Sequence, residues 1–204
     1  MSLLRVAVLG LGEIGSIHLS RWSEISGAEI ASVCDIEAEI ATKAATECEC
    51  EGHTDWQAAL LTPGVNVVDI CLPNYLHFEV AQAAFAAGCH VLCETPVALT
   101  AAETSKLESI GFENNLRFYP GFCHRLNPGI VFAKELLEND DLGMIRMIRA
   151  RFSANTNLHK DHWVNEPDIS GGGAARYLGQ HGLDMFRYLA GEISSCYGIS
   201  TSFS

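Results

Sequence analysis

Three glycines, in the run Gly10-Leu11-Gly12-Glu13-Ile14-Gly15, stand directly after a short aliphatic stretch, Leu3 to Leu9, and open a helical pattern that runs from Glu13 to Ile25. In that setting each glycine has its own use. The first permits a tight turn, the second lets the backbone approach a pyrophosphate, and the third allows close packing of helix on strand. An anion then lies on the free N–H groups and positive dipole of the helix N-terminus. Asp35 stands twenty residues beyond Gly15 at the end of a second strand, where a carboxylate can accept hydrogen bonds from ribose hydroxyls. The same carboxylate repels a 2′-phosphate, because like charges at about 4 Å cost roughly 1 to 4 kcal/mol depending on screening. No arginine follows to offset this, since position 36 is Ile, so the pattern predicts NAD in preference to NADP.

Other residue types capable of chemistry are less organised. The eight cysteines, Cys34, Cys48, Cys50, Cys71, Cys89, Cys93, Cys123 and Cys196, form no C-x-x-C pair of the kind that zinc sites and thioredoxin-like motifs use. Cys48 and Cys50 are too close for a relaxed disulfide. The cysteines therefore read as small buried hydrophobes in a reducing, cytoplasmic setting. His159 and His162 have no third ligand at useful spacing, so no metal centre is expected.

The elements that must position these residues follow from periodicity. Leu3 to Leu9, Ala28 to Cys34, Val67 to Leu72 and His90 to Cys93 read as short, largely apolar strands. Helical patterns separate them: Ile36 to about Glu47, a short segment opened by Thr54 and Asp55 and stopped by Pro63-Gly64, and one from a capping Asn74 to Ala87, closed by Gly88. Thr100-Ala-Ala-Glu103 is a capping box opening a further helix to about Ser109. Strands alternating with helices predict an α/β fold, a doubly wound parallel sheet, up to a boundary near Gly121. Beyond it the spacing suggests a strand at Leu116 to Phe122, a helix at Asn127 to Asn139, a strand at Met144 to Phe152, an irregular stretch from Ser153 to Gly173, a helix at Ala174 to Ala190 and a last strand from Ile193.

Composition excludes several classes of partner. The 204 residues include 13 Lys plus Arg against 25 Asp plus Glu, a net charge of -12 with no basic stripe. Nucleic acid needs a positive footprint, and an anionic membrane surface needs the same. No apolar run approaches the ~20 residues of a spanning helix. The opening Met1 to Gly12 lacks a basic n-region and reads as a buried strand, not a signal peptide.

Several motifs in register carry a resemblance. Val68-Asp-Ile-Cys-Leu-Pro-Asn-Tyr-Leu-His77, Ala87-Gly-Cys-His-Val-Leu-Cys-Glu-Thr-Pro96, His124-Arg-Leu-Asn-Pro128, Leu142-Gly143 and Gly171-Gly-Gly with His181 and Asp184 resemble the Gfo/Idh/MocA family, named for glucose-fructose oxidoreductase and inositol dehydrogenase. The resemblance implies a Rossmann domain over residues 1–121. It implies over 122–204 a C-terminal α+β domain with an open mixed sheet, incomplete here and serving substrate binding or oligomerisation. The implied chemistry is pyridine-nucleotide oxidation or reduction of sugars, cyclitols and related polyols. By the same resemblance Gly10, Gly12, Glu13, Ile14, Gly15 and Asp35 hold the adenosine and diphosphate half of the cofactor. Leu72, Pro73, Asn74 and His77 line the ribose and nicotinamide approach, with Glu94 near the nicotinamide ribose. His77 taken alone reads equally as the partner of a helix N-terminus, and Arg125 either contacts substrate or makes an ordinary ion pair. Trp163 is placed to pack on a sugar ring, with core or oligomer packing as the alternative.

The sequence departs from the family pattern at two reacting positions. Glu94-Thr95-Pro96 stands where the family usually has Glu-Lys-Pro, so the cation beside the reacting carbinol is replaced by a hydroxyl that cannot titrate near neutral pH. Tyr177 stands where the family has Asp, ahead of Gly179, His181 and Asp184. Positions 177, 181 and 184 stand at i, i+4 and i+7, so they share a helical face. That leaves His181 as the proton-transfer group, since an ordinary histidine titrates near pH 6.5. The alternative is a hydrogen-bonding structural histidine, with Asp184 orienting its helix or meeting substrate. Thr95 and Tyr177 are left to orient substrate. Two functions remain open: an NAD-dependent oxidoreductase slowed by these changes, or a degenerate member that binds a dinucleotide or sugar-like ligand as a regulatory or interaction protein. Family members continue past this length, so the chain reads as truncated, with an exposed edge strand expected to pair with another subunit, as in a homo-oligomer, or to aggregate.

Overall fold

Strand β1 (Leu4–Leu9) alternates between two apolar layers. Val6 and Val8 pack with Leu11, Ile30, Val33 and Ala44, whereas Ala7 and Leu9 pack with Val68, Ile70, Val80, Phe85, Val91 and Leu107. A strand buried on both faces is the signature of a parallel sheet covered by helices on both sides. The computed structural model describes residues 3–153, 163–173, 175–199 and 201, and it divides into two units.

The first unit comprises residues 3–121 with 163–177. Its elements run β1, α1 (Glu13–Glu24), β2 (Ala28–Cys34), α2 (Ala38–Cys48), β3 (Glu51–His53), α3 (Trp56–Leu60), β4 (Val67–Ile70), α4 (Asn74–Ala86), β5 (His90–Cys93), α5 (Ala101–Glu113) and β6 (Phe118–Pro120). All pairings are parallel, in the order β3-β2-β1-β4-β5-β6. The order reverses between β1 and β4, and ligands of open α/β sheets bind outside the carboxyl ends of the strands at such a switch. The Rossmann arrangement is therefore present, and β1 delivers the glycine loop to its switch point.

Local differences from the sequence reading have identifiable causes. The short strand β3 is not foreshadowed because Glu51-Gly52-His53 has no apolar run; backbone pairing to β2 creates it, and Gly52 leaves room where a Cβ would lie 2.8 Å from Ala45 Cβ. Helix α2 begins at Ala38 instead of Ile36, because the Glu37 N–H donates to Asp35 Oδ1 in a turn ahead of it. Asn74 does not cap α4: Pro73 occupies the cap, and the Asn74 amide donates to the Ser170 carbonyl at 2.6 Å. The capping box at Thr100 and Glu103 forms reciprocally, at 3.2 and 3.0 Å, and α5 runs on to Glu113. Residues 163–177 add a 3-10 turn (Trp163–Asn165), helix α7 (Pro167–Ser170) and the glycines 171–173.

In the second unit a 3-10 turn (Cys123–Leu126) leads to α6 (Pro128–Glu138), whose start is capped by Asn127 Oδ1 accepting from the Gly129 N–H. Helix α8 (Gln180–Ala190) ends at Gly191, with φ +90°. The expected uniform helix from Ala174 is broken: a π-helical turn occupies Ala175–Gly179, so regular α geometry starts only at Gln180. A π turn advances each residue by a smaller angle than an α turn, so Tyr177 does not keep the simple i, i+4 relation to His181. The segments expected as strands at 144–152 and from 193 join no ladder among the described residues. Alternating polarity marks a face, but a strand is completed only by a neighbour that takes its N–H and C=O groups. No helix among the described residues is long and apolar enough to cross a membrane.

Candidate functional site

The three glycines of the loop differ in the space around them. Gly10 has φ +88°, and a Cβ there would sit 2.6 Å from the Cys71 carbonyl oxygen, so only glycine lets the loop cross the end of β4 this closely. Gly15 is tighter still, since its Cβ would lie 1.8 Å from the Gly10 oxygen. Gly12, at the cap of α1, has nothing within 4 Å of where its Cβ would point. Two glycines thus serve packing, and the third faces open space in front of the first N–H groups of α1. Glu13 and Ile14 are exposed at the same helix start.

Asp35 is fixed beside this cradle by two backbone donors. Its Oδ2 accepts from the Leu11 N–H at 2.9 Å and its Oδ1 from the Glu37 N–H at 3.0 Å. These bonds orient the carboxylate at the tip of β2 without exhausting its lone pairs.

Beyond β4 and β5 the chain brings together Leu72, Pro73, Asn74, His77, Glu94 and Thr95. His77 is 2% exposed, and its ring spans two carbonyl oxygens, Pro96 O at 2.8 Å from Nδ1 and Leu72 O at 2.6 Å from Nε2. Burial pushes its pKa down against the pull of those carbonyls. His77 therefore ties the two turns together and supports Leu72 and Pro96 from behind. Asn74 Oδ1 and Thr95 Oγ1 are buried and have no hydrogen-bond partner among the described residues. Buried polar atoms are nearly always satisfied, so both positions are open to a partner from outside the described residues. Open backbone at Gly12, an oriented carboxylate at Asp35 and orphaned polar atoms beyond β4 and β5 fit a dinucleotide. An open cleft of about 1040 Å³ between α1 and α2, lined by Leu19, Trp22, Ile40 and Ala44, lies on the helical layer and holds none of these residues.

One cluster escapes a reading of the sequence. His18 on α1 places Nδ1 2.9 Å from Asp69 Oδ2 and Nε2 3.1 Å from Glu94 Oε1. Trp22 Nε1 donates to Asp69 Oδ2 at 2.6 Å, and the Cys71 thiol lies 3.7 Å from Oδ1. Glu94 also accepts from the Thr95 N–H at 3.1 Å, and Gly121 leaves room for its carboxylate, since a Cβ there would be 2.8 Å from Oε1. The Thr95-Pro96 bond is cis. The one signal that points to the cluster is an acid inside the otherwise apolar run of β4.

Not all the cysteines are buried. Cys34, Cys89 and Cys93 are, Cys48, Cys50 and Cys71 are half-buried, and Cys123 and Cys196 are exposed, all as free thiols. Burial pushes Cys34 up to about 11 and Cys71 up to about 12, which keeps these thiols protonated and unreactive.

In the second unit, Arg125 Nε donates to Asp184 Oδ2 at 2.8 Å while a terminal nitrogen donates to Oδ1, and the guanidinium lies over the Tyr188 ring at 5.3 Å. Asp184 is 6% exposed, so this fork pairs a buried carboxylate and ties the turn at 123–126 to α8. His181 is half-buried, edge-on to His124 at 5.2 Å and to Phe122 at 6.0 Å between ring centroids. Gly182 admits the Phe152 ring, 3.0 Å from where a Cβ would stand. Tyr177 is exposed and Trp163 half-buried, both in the first unit. His159 and His162 lie outside the described residues.

Comparison with known proteins agrees with this geometry. Residues 4–122 match the oxidoreductase family with an NAD-binding Rossmann fold, and residues 130–204 match a GFO/IDH/MocA C-terminal domain. Levoglucosan dehydrogenase of Pseudarthrobacter phenanthrenivorans is 30% identical over all of this chain and 55% of its own length. Inositol 2-dehydrogenase of Salmonella typhimurium is 34% identical over 75% of this chain and 47% of its own. A solved levoglucosan dehydrogenase in complex with NADH and levoglucosan superposes with a TM-score of 0.84 at 30% identity, covering 94% of this chain and 55% of that one. The chain spans about half the length of the relatives it matches. With its strand order, glycine loop and oriented Asp35 it belongs to the Gfo/Idh/MocA oxidoreductase family, with that family's NAD-binding Rossmann fold.

Proposed function

We propose that this chain forms the cofactor-binding part, and some of the substrate-binding part, of an NAD-dependent dehydrogenase acting on a hydroxyl-bearing carbon of a sugar, cyclitol or related polyol. The observation that carries the reading is the open backbone at Gly12 beside the doubly held Asp35 carboxylate. NAD, when bound, supplies the hydride acceptor or donor. Gly10, Gly12, Glu13, Ile14, Gly15 and Asp35 hold its adenosine and diphosphate half. Leu72, Pro73, Asn74 and Glu94 receive the other half, with His77 fixing the two turns that carry them. Asn74 Oδ1 and Thr95 Oγ1 are the hydrogen-bonding positions left over for ligand hydroxyls. His181 moves the hydroxyl proton, Tyr177 and Trp163 contact substrate, and the Arg125–Asp184 pair orients α8.

The substrate class is supported by relatives that act on levoglucosan and inositol. Phe132, Met147, Tyr197 and Ile199 are exposed on the second unit, which supports a second copy of the chain as partner; sedimentation giving only monomer would overturn that part.

A specific feature favours a second reading, a dinucleotide- or sugar-binding protein without turnover. Thr95 offers a neutral hydroxyl where the family resemblance implies a lysine, and a positioned acid or base is typically worth about 10² to 10⁴-fold in rate. The deciding experiment titrates the chain with NADH and with NADPH by nicotinamide fluorescence, then screens polyols for NAD reduction. Saturable binding that prefers NADH, with slow turnover raised by Thr95→Lys, is the expected result. Binding without turnover on any polyol favours the second reading, and no binding of either dinucleotide overturns the first reading and the dinucleotide-binding form of the second.

A further inference from the structure

Asp69 is the one charged residue of β4 and is completely buried. An ionised carboxylate in such a place has to be paired and hydrogen-bonded. His18 supplies the pair from α1, three residues past Gly15, and its second ring nitrogen reaches Glu94 at the end of β5. Both neighbours are carboxylates, and an ionised carboxylate only accepts hydrogen bonds, so both ring nitrogens must carry a proton. The ring is then a charged imidazolium held between two anions.

The surrounding donors fit that arrangement. Trp22 Nε1 and the Cys71 thiol take further positions on Asp69, and the Thr95 N–H takes Oε2 of Glu94. Hydrogen bonding by Asp69, then by Cys71 and Glu94, pushes the His18 pKa up to about 12 against the effect of burial. His18, Asp69 and Cys71 also bring three metal-ligand atoms within 4.8 Å of one another. A metal ion would have to displace the proton on Nδ1 and a second proton from a thiol pushed up to about 12, so the proton is the better occupant.

We infer that His18 is a positioning residue: it clamps Asp69 to Glu94, joins the helix behind the glycine loop to the end of β5, and fixes the Glu94 carboxylate for the nicotinamide-ribose end of the dinucleotide. This inference rests on the cofactor reading above. Without His18, Glu94 loses the bond from Nε2 and Asp69 loses its counter-charge.

The test uses the full chain with ¹⁵N-labelled histidine, the His18 signals being those lost in His18→Gln. Both ring nitrogens of His18 should show the shifts of protonated imidazole nitrogen at pH 9, where ordinary histidines are neutral. In parallel, NADH affinity is measured for wild type, His18→Gln, Glu94→Gln and the double variant. Each single change should raise Kd about tenfold, the scale of one charge-assisted hydrogen bond, and the double variant should lose no more than either single one. If His18→Gln does not fold, Glu94→Gln carries the test alone: its Kd rises, and the ring that is doubly protonated at pH 9 in wild type titrates at lower pH because one anion has gone. A His18 that titrates below pH 8 in a chain that binds NADH overturns the clamp. Losses that multiply to about a hundredfold overturn the coupling to Glu94. A wild-type chain that does not bind NADH overturns the cofactor reading, and with it the positioning role, even where the ring is seen to be charged.

Discussion

Alanine at Gly15 would place its Cβ 1.8 Å from the Gly10 carbonyl oxygen, 2.8 Å from the carbonyl carbon and 3.3 Å from Cys71 Cβ. Non-bonded carbon contacts settle at about 3.5 to 4.0 Å, so the first turn of α1 has to retreat from the sheet by about 1.5 to 2 Å. Overpacking a tight site costs typically about 1 to 3 kcal/mol. Because the obstacle here is backbone, the upper end applies. For a domain of this size each kcal/mol moves Tm by about 2 to 4 °C, giving a loss of about 6 to 12 °C. At Gly12 the same substitution meets nothing within 4 Å, and φ there is −63°, which alanine adopts freely. Exchanging glycine for alanine at a helix cap costs at most about 1 kcal/mol, so the melt should shift by less than about 4 °C.

The ligand reverses the ranking of consequences. The added methyl at Gly12 would occupy the space from which a pyrophosphate approaches the N–H groups of α1, and NADH affinity should fall at least about tenfold, which is about 1.4 kcal/mol. The assay is a circular-dichroism melt and a NADH fluorescence titration on both variants. Gly12→Ala binding NADH like the wild type would refute the reading of this loop as a pyrophosphate cradle, and Gly15→Ala melting like the wild type would refute the packing geometry itself.

Three further outcomes follow from side-chain pairings. Arg125→Ala leaves the buried Asp184 carboxylate without its counter-charge and should cost about 1 to 3 kcal/mol, discounted because the arginine itself is partly exposed; Asp184→Asn should cost less. Equal losses in urea unfolding would show that the buried charge is not the issue. Below about pH 6.5 His18 is protonated folded and unfolded alike; above it only the folded chain keeps the proton, up to about 12, so its contribution is lost as pH rises. Urea unfolding between about pH 6.5 and 7.5, below the thiol range, should show wild type losing up to about 1.4 kcal/mol per pH unit more than His18→Gln; parallel curves would remove the imidazolium. Gly121→Ala puts a Cβ 2.8 Å from Glu94 Oε1; the carboxylate can swing aside, so stability should change by less than about 1 kcal/mol while NADH affinity drops, and unchanged affinity would detach Glu94 from the cofactor.

What could be read in the sequence is what the backbone imposes locally. Gly10 needs a positive φ, Gly15 needs the absence of a Cβ, and Thr100 with Glu103 closes a capping box within four residues; each leaves a mark at fixed spacing. Residues whose purpose lies across the fold leave none. Asn74 looks like a cap because caps are written in asparagine, yet its amide is used on the Ser170 carbonyl, 96 positions away. The alternation at 144–152 has the period of a strand, but a pattern cannot supply the neighbour that makes a strand. His18, Asp69 and Glu94 are each ordinary in sequence, and only an acid set among Val67, Val68 and Ile70 announces that something must come to meet it. A buried carboxylate must find a cation, the cation that meets Asp69 stands on the helix that carries the glycine loop, and its other ring nitrogen then reaches the next strand. The cost of burying one charge in β4 thereby becomes a constraint on where Glu94 can be, which is how a stability requirement in the core turns into the geometry of a binding site.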